Sequence, residues 1–149
     1  MNIEALAVKE QFIDVRDGDR RPVTELLAAL RIFHPNILII GSGIDVEPVL
    51  AQIRPTLLTR SASWSPAETP DPPTGGYGSL VVRGIERLTT SQQKSLAMLL
   101  NQSAGDLQVV SIAGLPIFPL VRQGVFLEDL YYRLNVVLLE PGRDGSYGW

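Results

Sequence analysis

The sequence predicts an α/β fold organised around a parallel β-sheet. Two observations carry this: short aliphatic runs alternate with helix-like windows along the chain, and the run Ile37-Leu38-Ile39-Ile40 is apolar at every position. Alternation of this kind is the mark of strand–helix–strand units, whose crossovers leave the strands parallel. An all-apolar strand belongs inside a sheet that is covered on both faces.

The elements follow in order. Val23, Leu26, Leu27 and Leu30 fall at helical spacing, and His34-Pro35 ends that helix, because the residue before a proline is pushed out of the α region. The strand Ile37–Ile40 comes next. Asp45 is placed to cap a helix running to about Ile53, with Pro48 tolerated in its first turn. Pro55 to Thr59 reads as a second strand, Thr56–Thr59 being its core. Residues 61–78, with four prolines and three glycines, read as a loop. Ser79–Val82 is the third strand. Thr90-Ser91-Gln92-Gln93 has capping-box spacing and opens a helix with Leu96, Leu99 and Leu100 on one face. Leu107 to Ile112 forms the fourth strand, with its core at Gln108–Ile112. A helix within Leu120–Leu134 spaces Phe126, Leu130 and Leu134 four apart, which marks them as core. Val136–Leu139 is the fifth strand, and 142–149 reads as a flexible tail. No internal boundary divides residues 1–149, so one domain is expected.

Composition narrows the function. An apolar fraction of 45% with 19% charged residues is that of a globular domain. At a net charge of −3, with no basic block, the chain lacks the clustered field that phosphate backbones require, so direct nucleic-acid binding is not expected. The absence of cysteine removes thiol nucleophiles, thiolate metal sites and disulfides, which suits a reducing compartment. No apolar run approaches the roughly 20 residues of a membrane span, and the start has no export-signal pattern. A cytoplasmic protein is expected. His34, the only histidine, has no partner at ligand spacing. Neither Ser42 nor Ser111 has a nucleophile elbow or a second histidine with which to build a triad. No metal site is expected. Trp64 and Trp149 are expected to be exposed, as contact surface.

One segment is far more specific. Gly124-Val125-Phe126-Leu127-Glu128-Asp129-Leu130-Tyr131-Tyr132-Arg133-Leu134-Asn135-Val136 resembles the GxFRxDLYYRLNV segment of the bacterial enhancer-binding proteins, the AAA+ activators of sigma-54 RNA polymerase. Upstream, Gly78-Ser79-Leu80-Val81-Val82 with Ile85 and Leu88 is similar to that family's GTLFLDEIGEL. Gln93 to Gln102 is similar to its QxxLLRxLQ, and Asp106 to Val110 to its DVRVI. Pro55 to Ser61 is a weaker match to the strand after the phosphate-loop helix. The resemblance covers about Ile37 to Val137. It implies a P-loop NTPase-like AAA+ core, a three-layer sandwich with a five-stranded parallel sheet.

The catalytic positions of that family are altered. A P-loop cradles phosphates on backbone amides, with Lys on the β/γ charge and a hydroxyl on magnesium. Here Gly41-Ser42-Gly43-Ile44-Asp45-Val46-Glu47 stands in that place, one residue short, with Val46 where the resemblance puts Lys. Asp45 and Glu47 add negative charge where a phosphate would sit. Read without the resemblance, Gly41–Gly43 is an ordinary tight strand-to-helix turn. The acidic pair that ends the third strand is replaced by Arg83 and Gly84, and a guanidinium cannot serve as a base. Glu86, two residues on, is a poor substitute on position. The sensor Asn falls on Gly114. Of the two family arginines that reach into a neighbouring subunit, the first is Leu127 and only Arg133 remains, as an interface residue or half of an intrachain pair. The GAFTGA loop that touches the sigma factor has no counterpart in residues 61–78. Neither the helical lid nor the DNA-reading helix-turn-helix has one in residues 142–149.

These readings imply a pseudo-ATPase with no catalytic residue and no cofactor. It acts through an unidentified protein partner, an active AAA+ relative being one candidate, and is a monomer or dimer by itself. The runner-up is an atypical protein that still takes ATP or ADP weakly. A third reading is a regulatory domain whose 61–78 loop recognises an effector.

Overall fold

The computed structural model describes residues 12–14, 20–103 and 105–141. A short antiparallel ribbon, β1 (Phe12–Asp14) with β2 (Arg20–Pro22), leads into α1 (Val23–Phe33). Then come β3 (Ile37–Ile40), α2 (Gly43–Ile53), β4 (Ser61–Trp64), β5 (Ser79–Arg83), α3 (Thr90–Gln102) and β6 (Gln108–Ala113). The last elements are α4 (Phe118–Arg122), α5 (Glu128–Leu134) and β7 (Val137–Leu139). β3 to β7 form one five-stranded sheet in the order β4-β5-β6-β3-β7, parallel at every pairing.

Alternation along the strands divides the core into two layers. Ile37, Ile39, Val81, Val110 and Ile112 face α1 and α2, where they meet Leu26, Leu27, Leu30, Val49, Leu50 and Ile53. Leu38, Leu80, Val82 and Val109 face the other way, onto Leu96, Leu100, Phe126, Leu130 and Leu134. The sheet is therefore the middle layer of three. β3 lies between β6 and β7, and Ile37, Leu38 and Ile39 are wholly buried, as an all-apolar strand requires.

Several boundaries differ from those expected. The second sheet strand is Ser61–Trp64, not Thr56–Thr59. Pro55 instead starts a 3₁₀ turn over Arg54–Thr56, which the Thr56 hydroxyl fastens by donating to the Ile53 carbonyl at 2.6 Å. Leu58 then finds side-chain partners for its backbone: its N–H donates to Gln108 Oε1 (3.0 Å) and its carbonyl accepts from the Ser79 hydroxyl (2.9 Å). With those groups satisfied, the segment has no need of a ladder. Residues 61–78 are accordingly not all loop. Trp64, expected to be exposed, is 2% exposed and donates its indole N–H to the Thr69 carbonyl at 2.8 Å. Trp149 and the rest of the 142–149 tail lie outside the described residues.

Asp45 does not cap α2; Ser42 holds that position, and its hydroxyl donates to Asp45 Oδ2 at 3.0 Å. The capping box of α3 lies one residue earlier than expected. The Thr89 hydroxyl accepts from Gln92 N–H (3.1 Å), and Gln92 Oε1 accepts from Thr89 N–H (3.0 Å). Leu120–Leu134 is two helices, broken where Gly124 adopts φ +78°.

Candidate functional site

The site begins at the carboxyl ends of β3 and β5, where open α/β sheets bind ligands. Gly41 N–H donates to the Ala113 carbonyl at 3.0 Å, so sheet pairing continues to the turn. The Ser42 carbonyl then takes the N–H groups of Asp45 (3.0 Å) and Val46 (2.9 Å), which closes the first turn of α2. A Cβ on Gly41 would stand 3.5 Å from Val46 Cγ2 and 3.7 Å from the Pro141 carbonyl oxygen, so the chain passes close on both sides. Val46 is 1% exposed and belongs to the core layer of Leu26 and Leu50. The position at which the resemblance puts Lys thus points into the protein interior, away from any phosphate at the turn.

Arg83, last residue of β5, reaches across to α2. Its Nη1 lies 2.6 Å from Glu47 Oε2, and its Nη2 is 3.4 Å from Oε1, a two-pronged contact. The side chains are 36% and 56% exposed. The hydrogen bond from Arg83 holds the Glu47 carboxyl below the usual carboxylate range against a smaller opposing effect of desolvation, and the charges of Arg83 and Arg54 add to the lowering. The first turns of α2 and the end of β5 are therefore bonded to each other through Glu47 and Arg83.

Gly84 follows with φ +72° and donates its N–H to the Ile112 carbonyl at 2.9 Å. A side chain there would be strained, so the second acid of the family has no easy place in this backbone. Glu86 is turned toward Gly114: its Oε2 accepts the Gly114 N–H at 3.2 Å and would stand 3.2 Å from a Cβ on that glycine. It braces the ends of β5 and β6. Ser111 is buried in the middle of β6. His34 sits at φ +46° beyond α1 and donates Nδ1–H to the Thr56 carbonyl at 3.0 Å, a structural role.

Arg133 lies elsewhere, on α5. Its Nη1 donates to Asn101 Oδ1 on α3 at 2.6 Å, and its backbone carbonyl accepts from Asn36 Nδ2 at 2.8 Å. Gln93, which the sequence suggests only as a capping residue, ties the α3 and α5 regions together. Buried to 1% exposure, it donates to the carbonyls of Leu88 (3.1 Å) and Val125 (2.9 Å) and accepts the Leu127 N–H at 2.8 Å. The loop before β5 is similarly held: Gln92 Nε2 donates to the carbonyls of Pro66 (3.3 Å) and Pro70 (3.1 Å), and the Tyr77 hydroxyl to that of Pro73 (2.7 Å).

No family model matches the chain. Among curated proteins, the "pathogenicity locus probable regulatory protein HrpR" of Pseudomonas syringae pv. syringae is 41% identical over 58 residues, 39% of this chain and 16% of that protein. The likeness to this regulatory protein is confined to that stretch of the chain. Solved structures agree on the fold. NtrX from Brucella abortus in complex with ADP superposes with a TM-score of 0.63 at 18% identity over 79% of this chain and 34% of the other. NtrX with ATP gives 0.61 and NtrX alone 0.57, at the same identity and with 35% of that chain covered. The chain spans about a third of NtrX and a smaller part of HrpR. Among the described residues, no helix is long and apolar enough to cross a membrane.

Proposed function

We propose that this chain is a catalytically inactive AAA+ domain of the sigma-54-activator type, a cytoplasmic protein-binding or regulatory module in transcription control. The ion pair between Arg83 and Glu47 carries the reading. Phosphoryl transfer in P-loop enzymes depends almost wholly on positioning and electrostatics, with a magnesium ion bridging phosphate oxygens. Here Arg83, at the position the resemblance matches to an acid, carries a guanidinium that pairs with Glu47. It repels a divalent cation, and it occupies the nearest carboxylate. Asp45 adds negative charge at the turn, and buried Val46 supplies no countercharge to a phosphate. The partner is a protein, an active AAA+ relative being one candidate. Self-assembly stops at a monomer or dimer, because head-to-tail rings need both faces of every subunit.

Weak binding of ATP or ADP is the second reading, and the likeness to a fold solved with both nucleotides favours it. A thermal-shift scan separates the two. A ligand at 100 times its dissociation constant adds about 2.7 kcal/mol of stability, a shift of several degrees for a domain of this size. The proposal expects no shift with 1 mM Mg-ATP. A rise of several degrees would favour the second reading.

A further inference from the structure

Between α3 and α5 runs an open groove of about 750 Å³. One wall is Ala97 of α3; the other is Leu127, with Leu130 at its base and Tyr132 47% exposed at the rim. Gln93 fixes the spacing of these walls by clamping the segment Val125–Leu127 against α3. Its charge is lopsided. Glu128 and Asp129, exposed in the first turn of α5, have no ion-pair partner among the described residues. Arg133, the groove's cation, has Nη1 engaged by Asn101.

We propose that this groove docks a partner peptide in which a lysine or arginine is flanked by aliphatic residues. The cation meets Glu128 and Asp129, and the aliphatic side chains cover Ala97, Leu127 and Tyr132. A cation set against two carboxylates supplies register, and apolar contact beside it supplies affinity. A small cation alone would leave the apolar walls uncovered, and an acidic peptide would be repelled. Arg133 acts here as a strut that holds α5 to α3 through Asn101. The inference rests on the reading of the chain as a protein-binding module and gives that module's partner a chemistry.

The test is selection of phage-displayed random 12-residue peptides on the full chain, followed by binding of the recovered peptides to variants. Expected winners pair Lys or Arg with Leu, Ile or Val and lose at least tenfold affinity on the double variant Glu128→Lys/Asp129→Lys. They also weaken severalfold between 50 mM and 500 mM salt, as exposed charge pairs do. The double variant Glu128→Gln/Asp129→Asn, nearly isosteric, must weaken binding in the same direction and guards against misfolding. Winners without basic residues, winners that bind these variants as tightly as the parent, or no winners at all would overturn the groove assignment. None of those outcomes touches the nucleotide question, whereas a tight Mg-ATP site would overturn the underlying reading whatever peptides are recovered.

Discussion

Replacing Val46 by lysine restores the residue type of the phosphate loop and tests where that position points. Val46 is 1% exposed, packed with Leu26, Val49 and Leu50. An ammonium there must either lose its proton or drag its stem to the surface. Deprotonating a group of ordinary pKa about 10.4 at pH 7 costs about 4.6 kcal/mol, at 1.36 kcal/mol per unit. Escape of the amine along its flexible stem lowers that figure, so a destabilisation of about 3–4 kcal/mol is expected for Val46→Lys. That is a large part of the roughly 5–15 kcal/mol of a typical domain. The loss should also depend on pH. The folded-state pKa of the lysine is depressed, so the unfolded chain binds more protons, and stability rises with pH by up to about 1.4 kcal/mol per unit until the unfolded pKa is reached. Urea denaturation of parent and variant at pH 7, 8 and 9 measures both effects. A variant within 1 kcal/mol of the parent at pH 7, with no dependence on pH, would show that the side chain faces solvent at the turn. Micromolar ATP binding by that variant would show that a lysine was all the loop lacked.

Other outcomes follow from the same geometry. Arg83→Ala should cost no more than about 1 kcal/mol, because both partners are substantially exposed. Carboxyl NMR should show Glu47 titrating higher in that variant. Its lowered pKa stabilises the fold above the ordinary carboxylate pKa, and that contribution fades as pH falls through the folded value. An unchanged Glu47 titration would mean that the pair does not form in solution. Gln93→Leu should cost about 2–4 kcal/mol in urea melts, since it strips partners from the Leu127 N–H and from two carbonyls; a loss under 1 kcal/mol would show that the clamp is not formed. Light scattering at micromolar concentration should give a mass of one or two chains, and a discrete hexamer or heptamer without nucleotide would refute weak self-assembly.

The strong strands were legible because their signal is burial itself. Ile37–Ile40 and Leu80–Val82 are apolar throughout, Val109–Ile112 is interrupted only by Ser111, and helices cover these strands on both faces of the sheet. β4 is hard to read because Ser61, Ala62, Ser63 and Trp64 give a polar–apolar alternation only four residues long, inside a stretch rich in proline and glycine, with only Trp64 fully buried. Leu57-Leu58 looked more like a strand, yet the backbone of Leu58 is satisfied by Gln108 and Ser79, residues at least 21 positions away in sequence. The one-residue shift of the α3 cap has a similar cause. Thr89 and Thr90, like Gln92 and Gln93, are locally equivalent, and only the burial of Gln93 against Val125–Leu127 decides between them. The resemblance marks Val46 in the turn and Arg83 at the end of β5 as departures from its pattern. The contact between Arg83 and Glu47, 36 residues apart, required the fold.

Isothermal titration of ATP, and separately ADP, with magnesium into the unmodified chain tests the central claim most directly. With Val46 turned into the core and Arg83 bonded to Glu47, no site tighter than millimolar should be found for either nucleotide. A saturable micromolar site of one nucleotide per chain would contradict the account.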